Sequence, residues 1–260
     1  MMDSRKIRFL DSDALKLIAI VTMLIDHIGA AILLPAGMMA VNTLNSWIDI
    51  YGLSRSIGRT AFPIFVFLLV EGFFHTHSRK KYFGRLLLFA LLSEIPFDMA
   101  IYGKPVYMGS QNVFWTLVIG FLTIWGIENF CGKHRQWLIR GRENRILTNY
   151  PIAAYVISFC VVFMGVVTAY YLRVDYRLYG VPLIVLFYFG KRAQVPRLFT
   201  CIAGYLLFLW EPYCIFGFLL ILFYNGTRKK RGKGFRYFFY LFYPVHLLIL
   251  GLIRVAFFSG

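Results

Sequence analysis

The sequence predicts an all-α fold, a polytopic transmembrane helical bundle of about nine spans (about eight to ten) with a cytoplasmic amino terminus. Composition is the first of three observations behind this expectation. Mean hydropathy is +0.66 and only 15% of residues are charged, whereas soluble domains approach about a quarter. The second is length: apolar runs of about 17–25 residues recur, enough to cross about 30 Å of hydrocarbon. The third is where the positive charges fall. A formal charge of +16 would suit a nucleic-acid binder, but the Lys and Arg residues sit in short loops between spans, so the expected partner is the lipid bilayer and not nucleic acid.

In chain order the spans are expected at roughly 13–34, 56–75, 82–101, 112–130, 150–172, 175–190, 195–211, 212–225 and 236–257. Ser12 is the expected N-cap of the first, with Asp11 and Asp13 beside its positive end. Arg5, Lys6 and Arg8 precede that run as they would a signal peptide. The interruption at Asp26-His27 and the spans behind it point instead to an uncleaved helix. Pro63, Pro96, Pro182 and Pro244 fall within spans, where each is expected to kink a helix and free a carbonyl.

The loops then alternate in charge. The basic ones carry Arg5, Lys6 and Arg8; Arg79, Lys80, Lys81 and Arg85; Lys133, Arg135, Arg140, Arg142 and Arg145; Lys191, Arg192 and Arg197; and the stretch "TRKKRGKGFR". The intervening loops hold only Arg55, Lys104, Arg173 and Arg177, and the turn "WEPY" holds none. Positive charge marks the cytoplasmic side. The expectation is one multi-pass domain, residues 1–260, in a bacterial cytoplasmic (inner) membrane, with Asn45 and Tyr107 facing out. Cys131, Cys160, Cys201 and Cys214 form no CxxC pair and are read as reduced.

Helical rise turns sequence position into depth. His27 lies about 14 residues into its span, about 21 Å from the cytoplasmic end. Arg59, Glu94 and Asp98 fall at about 18–24 Å, and Asp175 and Glu211 land in the same band. Charges at that depth are costly and face a cavity, a partner or both. Arg55 with Arg59, and Glu94 with Asp98, share helix faces at i,i+4, so an ion-pair network that merely ties helices together is one reading. His27 supports the other, because imidazole takes and returns a proton near neutral pH. Asp26 points about 100° away from it and is expected to anchor Arg59. The carboxylate orienting His27 is expected from Asp98 or Asp175. His246, in "YPVHLLIL", is either a substrate contact or bonded to a freed carbonyl such as that of Tyr240. Glu71 and His75 share a face at the inner end but lack a third ligand there, so no metal is expected.

The stretches "LKLIAIVTMLIDHIG", "IGRTAFPIFVFLLVEGFFHTHSRKKYFGRLLLFALLSEIPFD", "QNVFWTL", "VDYRLYGV" and "FYPVHLLIL" resemble the TraX family of integral membrane proteins. That family is named for the conjugative-pilus protein that acetylates pilin at its amino terminus. A more distant resemblance is to the membrane acyltransferase-3 superfamily, whose first helix carries a histidine implicated in acyl transfer. The resemblance runs from Leu15 to Leu250. It implies an acyl-CoA-dependent membrane N- or O-acetyltransferase with His27 catalytic and Asp26, Arg59 and Glu71 as motif companions.

On this reading acetyl-CoA is the donor substrate, its polyanionic nucleotide held by Arg79, Lys80, Lys81 and Arg85. His27 would deprotonate an amine or hydroxyl of a cell-envelope or membrane-protein acceptor, with Arg59 at the oxyanion and Asp98 or Asp175 supporting the histidine. Substrate contacts are expected from Glu71, Glu94, Glu211 and His246, and from Asn112 and Tyr243 within the matching motifs. The rival class is a proton-coupled transporter, which also uses intramembrane Asp, Glu and His.

Overall fold

The structure, a computed structural model, describes residues 8–39, 44–131, 152–227 and 233–258. Helix α1 (Ser12–Ile28) starts at Asp11, whose carboxylate accepts from the N–H groups of Asp13 and Ala14 at 3.1 and 2.8 Å. Asp11, and not Ser12, is the cap: a carboxylate satisfies the orphan donors and also suits the positive helix end. Beyond Ile28 the helix widens into a π-turn, Gly29–Leu33, and continues as α2 (Leu34–Met39).

The largest departure from the expected spans lies between Pro35 and Arg55. Leu44–Gly58 forms helix α3 and runs antiparallel to the first passage: Trp47 packs on Gly37, Ser54 on Gly29, and Asp26 on Gly58. Polar residues interrupt this helix, so it presents no long apolar run in the sequence. A two-residue break at Arg59-Thr60 separates it from α4 (Ala61–His75). Arg55 and Arg59 therefore do not share one helix face. Pro63 lies in the first turn of α4, where its missing N–H costs nothing and no kink follows. Helix α4 is buried on nearly every side, with Phe62, Ile64, Val66, Phe67, Leu69, Val70 and Phe73 all in the core.

Next come α5 (Arg79–Tyr102, containing Pro96), α6 (Val113–Cys131), α7 (Ile152–Tyr171) and α8 (Arg177–Arg192). They are followed by α9 (Arg197–Leu207), a 3-10 turn (Pro212–Cys214), α10 (Ile215–Leu222) and α11 (Lys233–Phe258). Helix α11 lies along α5, α6 packs among α5, α7 and α8, and α1 packs on α3 and α4. Among the described residues no strand forms. Two isolated bridges tie the ends instead, Leu10 with Tyr224 at one and Gln111 with Val174 at the other.

Among the described residues, five passages are long and apolar enough to cross a membrane: Ser12–Met39, Ser46–His75, Val113–Phe130, Ala154–Tyr171 and Phe238–Phe258. Helices α9 and α10 have 11 and 8 residues, only about 16 and 12 Å of rise. Neither crosses about 30 Å of hydrocarbon alone, so 195–211 and 212–225 are not full spans. Leu88, Leu91, Leu92 and Ile95 on α5, with Leu241, Val245, Leu248 and Leu252 on α11, stay exposed at helical spacing. Stripes of this kind are what lipid tails cover. Arg5, Lys6, the basic residues between Lys133 and Arg145, and Lys230 lie outside the described residues.

Candidate active site

Helices α1 and α11 bring two histidines face to face. His27 Nδ1 lies 2.7 Å from His246 Nε2, and His246 Nδ1 lies 2.6 Å from the Phe242 carbonyl oxygen. That carbonyl can only accept, so His246 Nδ1 carries a proton. In the neutral ring Nε2 then holds a lone pair, and His27 must donate to it from Nδ1. What remains is a lone pair on His27 Nε2. The rings lie nearly parallel with centroids 5.0 Å apart, and Tyr243 stands edge-on to both. Both histidines are buried.

His246 thus fills the orienting role expected of Asp98 or Asp175. It bonds Phe242 rather than Tyr240, because a helical side chain reaches the carbonyl four residues before it, not six. The ion pairs also differ from expectation. Asp26 accepts from Arg55 Nη1 at 2.6 Å, while Arg59 Nε reaches Glu211 at 3.0 Å. Helix α3 lays Arg55 beside Asp26, and the break after Gly58 turns Arg59 toward Glu211 and Tyr176. Gly58 has to be glycine-sized, since a Cβ there would fall 2.2 Å from Asp26 Oδ1.

The other polar groups surround this pair. Arg59, Asp175 and Glu211 are within electrostatic reach of Asp26. Asp175 Oδ1 accepts from the Tyr176 N–H at 3.0 Å, and its carbonyl accepts from Thr116. Glu94 accepts from Asn112 Nδ2 and from Trp115 Nε1. Asn112 also donates to the Ala90 carbonyl and caps α6 through the Phe114 N–H. Asp98 Oδ2 accepts from the Tyr107 N–H at 2.7 Å. Glu94 and Asp98 therefore do not neutralise Arg55 and Arg59. One oxygen each of Asp26, Glu94 and Asp98 is buried without a hydrogen bond.

At the end where α1 and α5 begin, two adjoining clefts of about 420 and 500 Å³ share Glu71, His75, Tyr224 and Gly226. Lys16, Tyr82, Arg85 and Tyr240 line the first; Arg8, Lys191 and Arg197 line the second. Glu71 pairs with Lys191 and lies 3.9 Å from His75. Arg85 stacks on Tyr82 and Tyr240. Of the four residues expected at the nucleotide, Arg85 alone lines a cleft. Arg79 is drawn to Glu128 and the Phe73 ring, and Lys80 and Lys81, exposed on the first turn of α5, line neither cleft. Among the described residues no three His, Cys, Asp or Glu side chains converge on a metal position.

A family model described as TraX protein matches residues 11–254. This chain belongs to the TraX family. It is also 30% identical over 273 residues to the "Probable fimbrial assembly protein FimC, serogroup H1" of Dichelobacter nodosus, an alignment covering 95% of this chain and 96% of that protein. No solved structure matches it. In this TraX chain the distant motifs meet in space: "IDHI" and "YPVH" supply the histidine pair, and "QNVFW" supplies both donors to the Glu94 of "SEIPFD". Sequence reasoning missed Arg55 as the partner of Asp26, and Lys16, Lys191 and Tyr240 as cleft residues. A helix-length spacing from Leu44 to the Gly58-Arg59 step was the available signal for the first.

Proposed function

We propose that this protein is a membrane-embedded acetyltransferase that moves an acetyl group from cytosolic acetyl-CoA to an amine or hydroxyl of a cell-envelope acceptor. The observation that carries this is the hydrogen-bond relay from His27 through His246 to the Phe242 carbonyl, which leaves an unprotonated Nε2 on His27. Such a nitrogen is a general base. The acceptor's proton passes to His27 Nε2 as its nitrogen or oxygen attacks the thioester carbonyl. The carbon–sulfur bond then breaks, and the proton passes on to the departing thiolate. Arg55, held by Asp26 and within electrostatic reach of His27, takes the oxyanion role that the sequence suggested for Arg59.

The donor nucleotide lies in the cationic clefts, and the pantetheine arm follows α1 from Lys16 to His27. That is 11 residues, about 16 Å, past Met23, a flexible side chain suited to displacement. A cytoplasmic amino terminus fits this arrangement, because the connections at 76–78 and 193–196 share the cleft end with the start of α1. The TraX membership and a relative named for fimbrial assembly favour a pilin-type peptide as acceptor. One observation favours the transporter reading, the broken passage at Arg59-Thr60, since broken helices mark carrier sites.

The deciding experiment incubates the reconstituted protein with radiolabelled acetyl-CoA and a cell-envelope extract. His27→Asn, which keeps bulk but loses the titrating base, should fold and lose about 10²–10⁴ of the transfer rate. A folded His27→Asn protein transferring at the wild-type rate would falsify the catalytic role. Proton flux across proteoliposomes without any CoA-dependent transfer would favour the carrier.

A further inference from the structure

The two clefts at the end where α1 and α5 begin balance their cations differently. In the first, Lys16 pairs with Asp13, and Arg85 lies against two tyrosine rings. In the second, Lys191 pairs with Glu71, but Arg8 and Arg197 pair with no carboxylate among the described residues. Arg8 is nonetheless close enough for its charge to act on Arg197. Two like charges held together on a cleft of about 500 Å³ draw an anion into it.

Both arginines are placed by one turn. Arg197 Nη1 donates to the carbonyls of Ile221 and Tyr224 at 3.1 and 2.6 Å, and its guanidinium stacks on the Phe67 and Tyr224 rings. That occupies one nitrogen of the fork and leaves Nε and Nη2 to a ligand. The stretch carrying Arg8 is tied to the same turn. The Leu10 N–H donates to the Phe223 carbonyl at 3.1 Å, and the Asn225 N–H to the Leu10 carbonyl at 2.8 Å. Another wall is the connection between α8 and α9. Its Ala193 and Val195 N–H groups return to the Phe189 and Gly190 carbonyls, and Gln194 between them adopts a φ of 55°. A Cβ on Gly190 would fall 2.6 Å from Thr200 Oγ1, so the first turn of α9 closes directly on the end of α8. Pro196 provides no side-chain cap there, and the positive end of α9 adds to the two guanidinium groups.

We propose that this second cleft is the subsite for the ribose 3′-phosphate of the donor's nucleotide, held by Arg8 and Arg197. The protein therefore distinguishes CoA from 3′-dephospho-CoA. The proposal rests on the acetyl-CoA reading and gives the donor's two phosphate groups separate clefts. The clefts adjoin through Glu71, His75, Tyr224 and Gly226, so one ligand that fills both carries phosphate at two points. CoA does, with its pyrophosphate and its 3′-phosphate on either side of a single ribose. The 3′-phosphate is a monoester of about −1.5 to −2 charge at pH 7, which suits two arginine forks. The pyrophosphate stays with Arg85, in the cleft that holds Lys16 at the start of the pantetheine path. A lipid headgroup would occupy one cleft and leave the cation of the other unmatched.

The test titrates CoA and 3′-dephospho-CoA by calorimetry into the full chain in nanodiscs of neutral phosphatidylcholine. The wild type should bind CoA about tenfold more tightly, as expected for charge-assisted bonds from a partly buried arginine. Arg8→Gln should narrow that ratio by about two- to threefold, since an exposed charge contributes less. Arg8→Gln/Arg197→Gln should abolish it, while 3′-dephospho-CoA binds as it does to the wild type. Arg8 is exposed, so its variant reads the subsite even where loss of the Arg197–carbonyl bonds lowers stability. Arg85→Ala should weaken both ligands alike and leave the ratio. Equal binding of the two ligands by the wild type, or a ratio that either arginine variant leaves at its wild-type value, overturns the subsite while the donor reading stands. Binding of neither ligand overturns both. Native mass spectrometry in nanodiscs containing phosphatidylglycerol supplies the lipid arm. Phosphatidylglycerol retained by the wild type against excess CoA, and lost from the double variant, would reassign the arginines to a lipid phosphate.

Discussion

His27 and His246 are 219 residues apart in sequence and 2.7 Å apart in space, Nδ1 to Nε2. The bond fixes which face of His27 carries the lone pair, because His246 is itself fixed by the Phe242 carbonyl. One backbone oxygen therefore sets the tautomer of a ring on another helix.

Removing the second ring should disable the first without unfolding the protein. In His246→Phe, His27 Nδ1–H loses its acceptor and the ring no longer has a preferred tautomer. Transfer should fall steeply but by less than the about 10⁴-fold seen when a catalytic triad loses its orienting carboxylate, since a neutral imidazole supplies orientation without charge. His246→Gln retains an accepting oxygen and should recover part of the rate. The pH–rate profile separates this from simple packing damage. A His246→Phe protein with the wild-type rate and profile would remove His246 from the proposed mechanism.

The Asp26–Arg55 pair invites a double-mutant cycle. Both side chains are largely buried, and a charge-assisted bond of this kind carries about 1.5–3 kcal/mol. Asp26→Asn and Arg55→Gln should each lower thermal stability, and the double variant should lose much less than the sum. Asp26→Asn with Arg59→Gln should couple more weakly than Asp26→Asn with Arg55→Gln, because Arg59 is bound to Glu211 and meets Asp26 only through its field. Strong coupling to Arg59 and none to Arg55 would restore the pairing that the sequence suggested.

Much of the helical order was legible because long apolar runs report membrane passages directly, and the polar layer followed from counting 1.5 Å per residue. His27 stood out because an ionisable group inside such a run has a cost that needs a reason. What could not be read was anything decided by two helices meeting. Whether Arg55 or Arg59 faces Asp26 depends on a two-residue break that leaves no apolar gap, and His246 could be matched to His27 only once α11 was placed beside α1. The cleft shows the same limit. Lys80 and Arg85 are equally basic in sequence, yet five residues is more than one helical turn, and they leave α5 in different directions.

Gly29 tests the close approach of α1 and α3. A Cβ there would fall 1.9 Å from Ser54 Oγ, and that hydroxyl is held by the Tyr51 carbonyl at 2.7 Å. Gly29→Ala should therefore cost about 1–3 kcal/mol from overpacking, read as a lowered melting temperature in detergent. Ser54→Gly removes both the hydroxyl and the Cβ in the way, so the double variant should regain most of the loss. Failure of that rescue would mean that the π-turn, and not the helix contact, requires the glycine.

Arg85 should matter more to donor binding than Lys80 and Lys81 together. Its guanidinium lines the 420 Å³ cleft between Tyr82 and Tyr240, whereas the two lysines do not line it. Lys16, also in the cleft, already pairs with Asp13 at 3.0 Å, which leaves Arg85 as the cation there best able to meet a phosphate. Calorimetric titration of CoA into protein in neutral nanodiscs should show Arg85→Ala binding about fivefold more weakly, the upper end for a solvent-exposed charge contact. Lys80→Ala/Lys81→Ala should change affinity by less than about twofold at ordinary ionic strength, where charges beyond about 8–10 Å are screened. Raising the salt should narrow the gap between wild type and Arg85→Ala, because the contact being lost is electrostatic. A larger loss in the lysine pair than in Arg85→Ala would move the nucleotide out of the cleft and onto the first turn of α5.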